Sequence, residues 1–122
     1  MKICITAEGD NLEASVDQRF GRCQCFIFVD TDTMDFEAVQ NQNISGMGGV
    51  GIQSGQLVTE KGAKAVLTGK VGPNASQTLQ AAGIDVVVDV SGKVRDVVDK
   101  FKSGELKPTI GPNAEKKSGL NN

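Results

Sequence analysis

The stretch Ala65-Val66-Leu67-Thr68-Gly69-Lys70-Val71-Gly72-Pro73-Asn74-Ala75 joins a short aliphatic run to a helix start, and Ile84-Asp85-Val86-Val87-Val88-Asp89-Val90 follows after Gly83. The run Ala65 to Thr68 suits a buried strand, Gly69 to Gly72 turns the chain, and Pro73 has its φ already set for a first helical residue. Gly83 suits the left-handed residue after a helix, and the β-branched run behind it predicts a second strand over 84–90. Strand, helix and strand in so short a space describe a right-handed crossover between parallel neighbours.

Outward from this unit the chain divides cleanly. On its N-terminal side, Gly46-Met47-Gly48-Gly49-Val50-Gly51 opens a helix to about Lys61, with Gly62 placed to end it. On its C-terminal side, Val94, Val97, Val98 and Phe101 recur at i, i+3, i+4 and i+7 against charged neighbours, which predicts a helix over 94–102. The chain begins with a buried strand, Lys2 to Ala7, then turn residues Glu8 to Asn11 and a polar loop over 12–22. A second strand runs from Cys23 to Asp30, and Asp30-Thr31-Asp32-Thr33 supplies hairpin chemistry before a half-polar third strand, about Phe36 to Asn43, expected at an edge. The order β-β-β-α-β-α-β-α predicts an α/β fold, a ribonuclease H-like three-layer α/β/α domain. Its mixed five-stranded sheet has strand 1 at the centre, the first three strands antiparallel and the last two parallel to strand 1.

One domain, residues 1–106, accounts for this pattern in a chain of 122 residues. Residues 107–122 hold only Ile110 and Leu120 as large apolar groups, too little to offset the entropy of ordering, so a flexible polar tail is expected. Fifteen acidic against thirteen basic residues leave a net charge of -2, which offers no general attraction for nucleic acid or an anionic membrane. Apolar runs fall far below the ~18 residues of a membrane span, and the N-terminal residues lack a secretory pattern, so a cytoplasmic protein is expected. Three cysteines without an export signal favour free thiols or metal thiolates over disulfides. Histidine is absent, which removes Ser-His and Cys-His nucleophile pairs, imidazole acid–base work and His-ligated zinc.

The chemistry gathers in Arg19-Phe20-Gly21-Arg22-Cys23-Gln24-Cys25. In extended chain, residues two apart face the same way, so Cys23 and Cys25 are candidate metal ligands to one guest, with Arg19 and Arg22 neutralising its charge. A plainer reading has the arginines paired with surface carboxylates and Cys25 as a small core residue, and packing alone explains Cys4. Gly48, Gly49 and Gly51 would turn backbone N–H groups toward an anion at a helix start, and Asn74 opens another helix at a strand's carboxyl end. The dinucleotide pattern Gly46-x-Gly48-x-x-Gly51 is disfavoured because Lys70 stands where an acidic residue belongs. A phosphate-binding Walker loop fails because Val71, with no hydroxyl, follows Gly69-Lys70. Nuclease chemistry fails too, since the first strand offers Cys4 and Thr6 rather than carboxylates.

Met1 to Ala7, Arg19-Phe20-Gly21-Arg22-Cys23, the 46–53 loop, Val71-Gly72-Pro73-Asn74-Ala75 and the final helix together resemble the dinitrogenase iron-molybdenum cofactor biosynthesis family. That family includes small nitrogenase accessory proteins and the carboxyl-terminal domain of the cofactor-core synthase. The resemblance covers about residues 1–106 and implies binding, storage or delivery of an anionic iron-sulfur or molybdenum-containing metal-sulfur cluster by a non-catalytic accessory protein. Metal-sulfur cluster donor or acceptor proteins are the implied partners of a monomer or weak homo-oligomer. A partner-binding or regulatory module that keeps the fold without a cofactor is the alternative, and a redox role for Cys23 is weaker because Cys-x-Cys lacks a helix-start placement.

Overall fold

The computed structural model describes residues 1–41 and 50–108, and only the backbone of 50–52. Its elements run β1 (Lys2–Ala7), β2 (Cys25–Asp30), β3 (Phe36–Gln40), α1 (Val50–Glu60), β4 (Ala65–Leu67), α2 (Pro73–Ala81), β5 (Asp85–Val87) and α3 (Val94–Lys102). The strands form one sheet in the order β3-β2-β1-β4-β5, with β1 at its centre and β3 at an edge. β1 pairs antiparallel with β2 (Ile5 opposite Ile27) and parallel with β4 (Ile5 opposite Leu67). β2 and β3 are antiparallel, and β4 and β5 parallel.

Alternation along the strands divides the interior into two apolar layers. Ile3, Ile5, Ile27, Val29 and Leu67 face α3, whose Val94, Val97 and Val98 close that side. Cys4, Phe26, Phe28 and Val66 face α1 and α2 through Val58, Ala75 and Leu79. Three layers result, as the element order predicts. β1 is buried at every residue after Lys2, which is why its sequence is aliphatic on both faces.

Every strand after β1 is shorter than its sequence suggests; β3 ends at Gln40, ahead of Asn41, and β4 at Leu67, ahead of Thr68. β2 starts at Cys25, not Cys23, because side chains capture the backbone ahead of it: Gln24 N–H donates to Asp17 Oδ2 (3.2 Å), and Asn41 Nδ2 donates to the carbonyls of Gly21 (2.9 Å) and Cys23 (2.8 Å). β5 spans Asp85–Val87 rather than 84–90. Asp89 turns the chain with φ 60°, after which its N–H donates to the Gly69 carbonyl (2.9 Å). The expected tail lies, beyond Pro108, outside the described residues, as do the expected last residues of β3 and Gly46 to Gly49.

Candidate functional site

β1, β4 and β5 run parallel, so their carboxyl ends share one rim, where α2 also begins. In open α/β sheets this is the edge at which ligands collect. Thr6 Oγ1, at the end of β1, donates to the Asp17 carbonyl (2.7 Å) and shares a hydrogen bond with Thr68 Oγ1 (2.8 Å), all of it buried. This pair ties the ends of β1 and β4 to the loop that follows.

That loop, residues 17–24, is laid across the rim by contacts with several distant elements. Phe20 N–H donates to the Lys70 carbonyl (3.0 Å) and Lys70 N–H to the Gln18 carbonyl (2.7 Å), a parallel bridge that sets Arg19 beside Lys70. Gln18 Nε2 reaches the Val90 carbonyl at 2.9 Å. The approach is so close that a Cβ on Gly69 would lie 2.7 Å from Gln18 Cα, which explains glycine there. Phe20 is buried and meets Phe26 edge-on, ring centroids 5.9 Å apart. Gly21 follows with φ 91°, a conformation that favours glycine, and the chain turns out again so that Arg22 is exposed. The Phe-Gly-Arg signature is therefore an anchor, a turn and a projecting cation.

Arg19 and Lys70 are both exposed. Arg19 Nε lies 3.4 Å from Asp17 Oδ1, a one-sided contact that leaves the terminal guanidinium nitrogens outside it. Lys70 makes no ion pair among the described residues. Two cations on adjacent bridge residues repel each other, and an anion between them relieves the repulsion. Beside them α2 starts at Gly72 and Pro73 without a side-chain cap, so the amides of its first turn have no side-chain acceptor there. Asn74 is exposed in that turn. Gly51 falls in the first turn of α1, while Gly48 and Gly49 lie outside the described residues.

The thiols stand differently from the sequence expectation. Cys23 precedes the strand and packs in the layer of Cys4, Phe20 and Phe26, whereas strand alternation puts Cys25 on the face of Ile27 and Val29. The shared direction assumed for residues two apart fails because Cys23 is not in extended strand. Both are buried. Burial, reinforced by the Asp17 charge, pushes the Cys23 thiol up to about 12. Burial and then Asp10 raise Cys25, and burial and then Cys23 raise Cys4 well above a free thiol. Among the described residues no three His, Cys, Asp or Glu side chains gather as a metal-holding group. An open groove of about 580 Å³ between the C-terminal halves of α1 and α2, lined by residues such as Gln56, Thr59 and Thr78, lies away from the rim.

Lys70 and Asp17 are the functional candidates that sequence reading passed over. Lys70 registered only as the lack of an acidic residue, and the part played by Asp17 depends on Thr6 and Gln24 as well as on its near neighbour Arg19. No helix among the described residues is long and apolar enough to cross a membrane.

A mixed α/β/α sheet with cations and a helix start on the rim defines a class, and residues 1–104 match the family described as dinitrogenase iron-molybdenum cofactor. The chain belongs to that family. Among solved structures it is similar to the apo form of the orange protein from Desulfovibrio gigas, with 45% identity, a TM-score of 0.89 and coverage of 92% of this chain and 95% of that one. A Thermotoga protein named as a candidate NifB protein is 32% identical with a TM-score of 0.81, covering 94% of this chain and 98% of its own. An uncharacterized protein of Methanocaldococcus jannaschii is 28% identical over 109 residues, 87% of this chain and 89% of that one.

Proposed function

We propose that the chain holds a preassembled anionic metal-sulfur cluster containing iron or molybdenum, or the precursor of one, and stores it or passes it between donor and acceptor proteins. The observation that carries this reading is the bridge that sets Arg19 beside Lys70, next to the open first turn of α2. Family membership supplies the chemical class of the guest, and the orange protein is described in an apo form, which distinguishes it from a form carrying a bound group. A thiometallate anion spreads its charge over several sulfide atoms. It needs compensating charge and N–H donors rather than a new covalent ligand, and Arg19, Arg22, Lys70, Asn74, the first-turn amides of α2 and the backbone of Gly48, Gly49 and Gly51 are the groups assigned to it. The complete lack of histidine and the closed state of the thiols favour holding by charge. Ligation by Cys23 and Cys25 then requires the loop to open.

The test is tetrathiomolybdate added to the purified chain, followed by desalting and visible absorption of the protein fraction. Retained colour is expected for wild type and for Cys23→Ser/Cys25→Ser, with binding that weakens as salt rises. Arg19→Gln/Lys70→Gln loses it. Colour that survives the charge changes but vanishes with the thiols overturns holding by charge, and a wild type that never retains the anion favours a partner-binding module without cofactor.

A further inference from the structure

Asp17 is out of place by charge: a carboxylate only 3% exposed, at the base of a loop read above as an anion site. Coulomb's law says its removal should tighten anion binding. What it contributes is geometric. Its N–H donates to the Thr6 carbonyl (2.8 Å) and its own carbonyl accepts from Thr6 Oγ1 (2.7 Å), so its backbone is fixed to the end of β1. Through the Thr6–Thr68 hydroxyl contact (2.8 Å), β4 is tied in as well. From that fixed base Oδ1 accepts Arg19 N–H (3.1 Å) and Oδ2 accepts Gln24 N–H (3.2 Å), one oxygen for each end of the loop. The same Oδ1 meets Arg19 on Nε (3.4 Å), the inner nitrogen, so the terminal nitrogens are not the ones that hold the carboxylate. Arg19 is left 61% exposed in its side chain.

We infer that Asp17 is the positioning residue of the anion site: its two carboxylate oxygens clamp residues 19 and 24 and aim the Arg19 guanidinium outward, at an electrostatic cost to the affinity it serves. The inference rests on the functional reading above and adds a signed consequence. A buried carboxylate with no positioning role repels the guest, so Asp17→Asn would bind it more tightly. A positioning carboxylate gives the opposite result, because asparagine has one acceptor oxygen and turns an N–H donor toward one of the two amides.

Two measurements on the full chain decide it, tetrathiomolybdate titration and backbone hydrogen exchange without ligand, for wild type, Asp17→Asn and Asp17→Glu, with folding checked by circular dichroism. Glutamate keeps the charge and misplaces the oxygens. Supporting results are an affinity lower by about tenfold to a hundredfold in Asp17→Asn, a smaller loss in Asp17→Glu, and faster exchange confined to residues 18–24 while β1 and β4 stay protected. Equal or tighter binding by folded Asp17→Asn overturns the inference. If wild type binds nothing, the functional reading falls separately. Exchange over 18–24 then still decides the clamp, unchanged protection overturning it and local loss supporting it. Should Asp17→Asn fail to fold, Asp17→Glu carries both measurements by the same criteria.

Discussion

The two ends of β2 are served by connections of opposite character. At its far end the turn 30–35 is tied mostly within itself: Asp32 N–H donates to Asp30 Oδ1 (2.8 Å), Met34 N–H to the Asp30 carbonyl (2.7 Å) and Asp35 N–H to Thr33 Oγ1 (3.2 Å), with Met1 as a distant partner whose carbonyl accepts Thr31 N–H (2.8 Å). Apart from Met1, these partners lie within five residues of one another. At the near end, residues 17–24 are held by Thr6, Asn41, Lys70 and Val90, which belong to or adjoin four different strands. A turn of the first kind can be read largely from its own residues. A loop of the second kind is a product of the finished fold, so it carries the geometry that a binding site requires and inherits every disturbance of the elements beneath it.

The sharpest way to break this contrast is at Phe20, the loop's buried anchor. Phe20→Ala should cost about 3–5 kcal/mol in urea unfolding, a core-sized loss from a residue in a connection. A loss under about 1 kcal/mol would show that the loop rests on the fold without being part of it. Next in size comes alkaline pH. Cys23 is raised in the folded chain from an ordinary value of 9.0 to about 12, so the folded state holds its proton where the unfolded chain releases it. Stability from this source is present below about 9 and falls as pH climbs toward 12, with a limiting slope of about 1.4 kcal/mol per pH unit for each such thiol. Thermal melts of wild type and Cys23→Ser across that window should converge in slope only if the loop thiol contributes nothing. The smallest effect is expected at the opposite turn: Thr33→Ala removes one exposed side-chain contact and should change stability by no more than about 0.5 kcal/mol, leaving tetrathiomolybdate binding untouched.

What could be read from sequence follows the same division. β1 and α3 have the expected limits, because an unbroken aliphatic strand and an i, i+3, i+4, i+7 stripe are local patterns that burial merely reinforces. The central place of β1 and the parallel setting of β4 and β5 followed from element order and crossover handedness. β2 starts later than its sequence suggests because Asp17 and Asn41 take over backbone groups of residues 21–24, and Asn41 does so from far along the chain. β5 was overdrawn since Val88-Asp89-Val90 looks like strand, yet Asp89 adopts a left-handed conformation against Gly69. Arg19 and Arg22 stand out in sequence as charges, whereas Lys70 becomes the companion of Arg19 only through a bridge formed on folding.

Gly69 has a further consequence for how this rim can change over evolutionary time. Because any side chain there would strike Gln18, the gap between two positive charges is metered by a missing methyl group. A single added carbon would push the Gln18 segment, and Arg19 with it, away from Lys70 with no charge altered, so that the proposed anion site would change its spacing alone. On the proposed reading, selectivity at this rim is a matter of backbone clearance, adjustable from beneath, while the groups facing solvent stay the same.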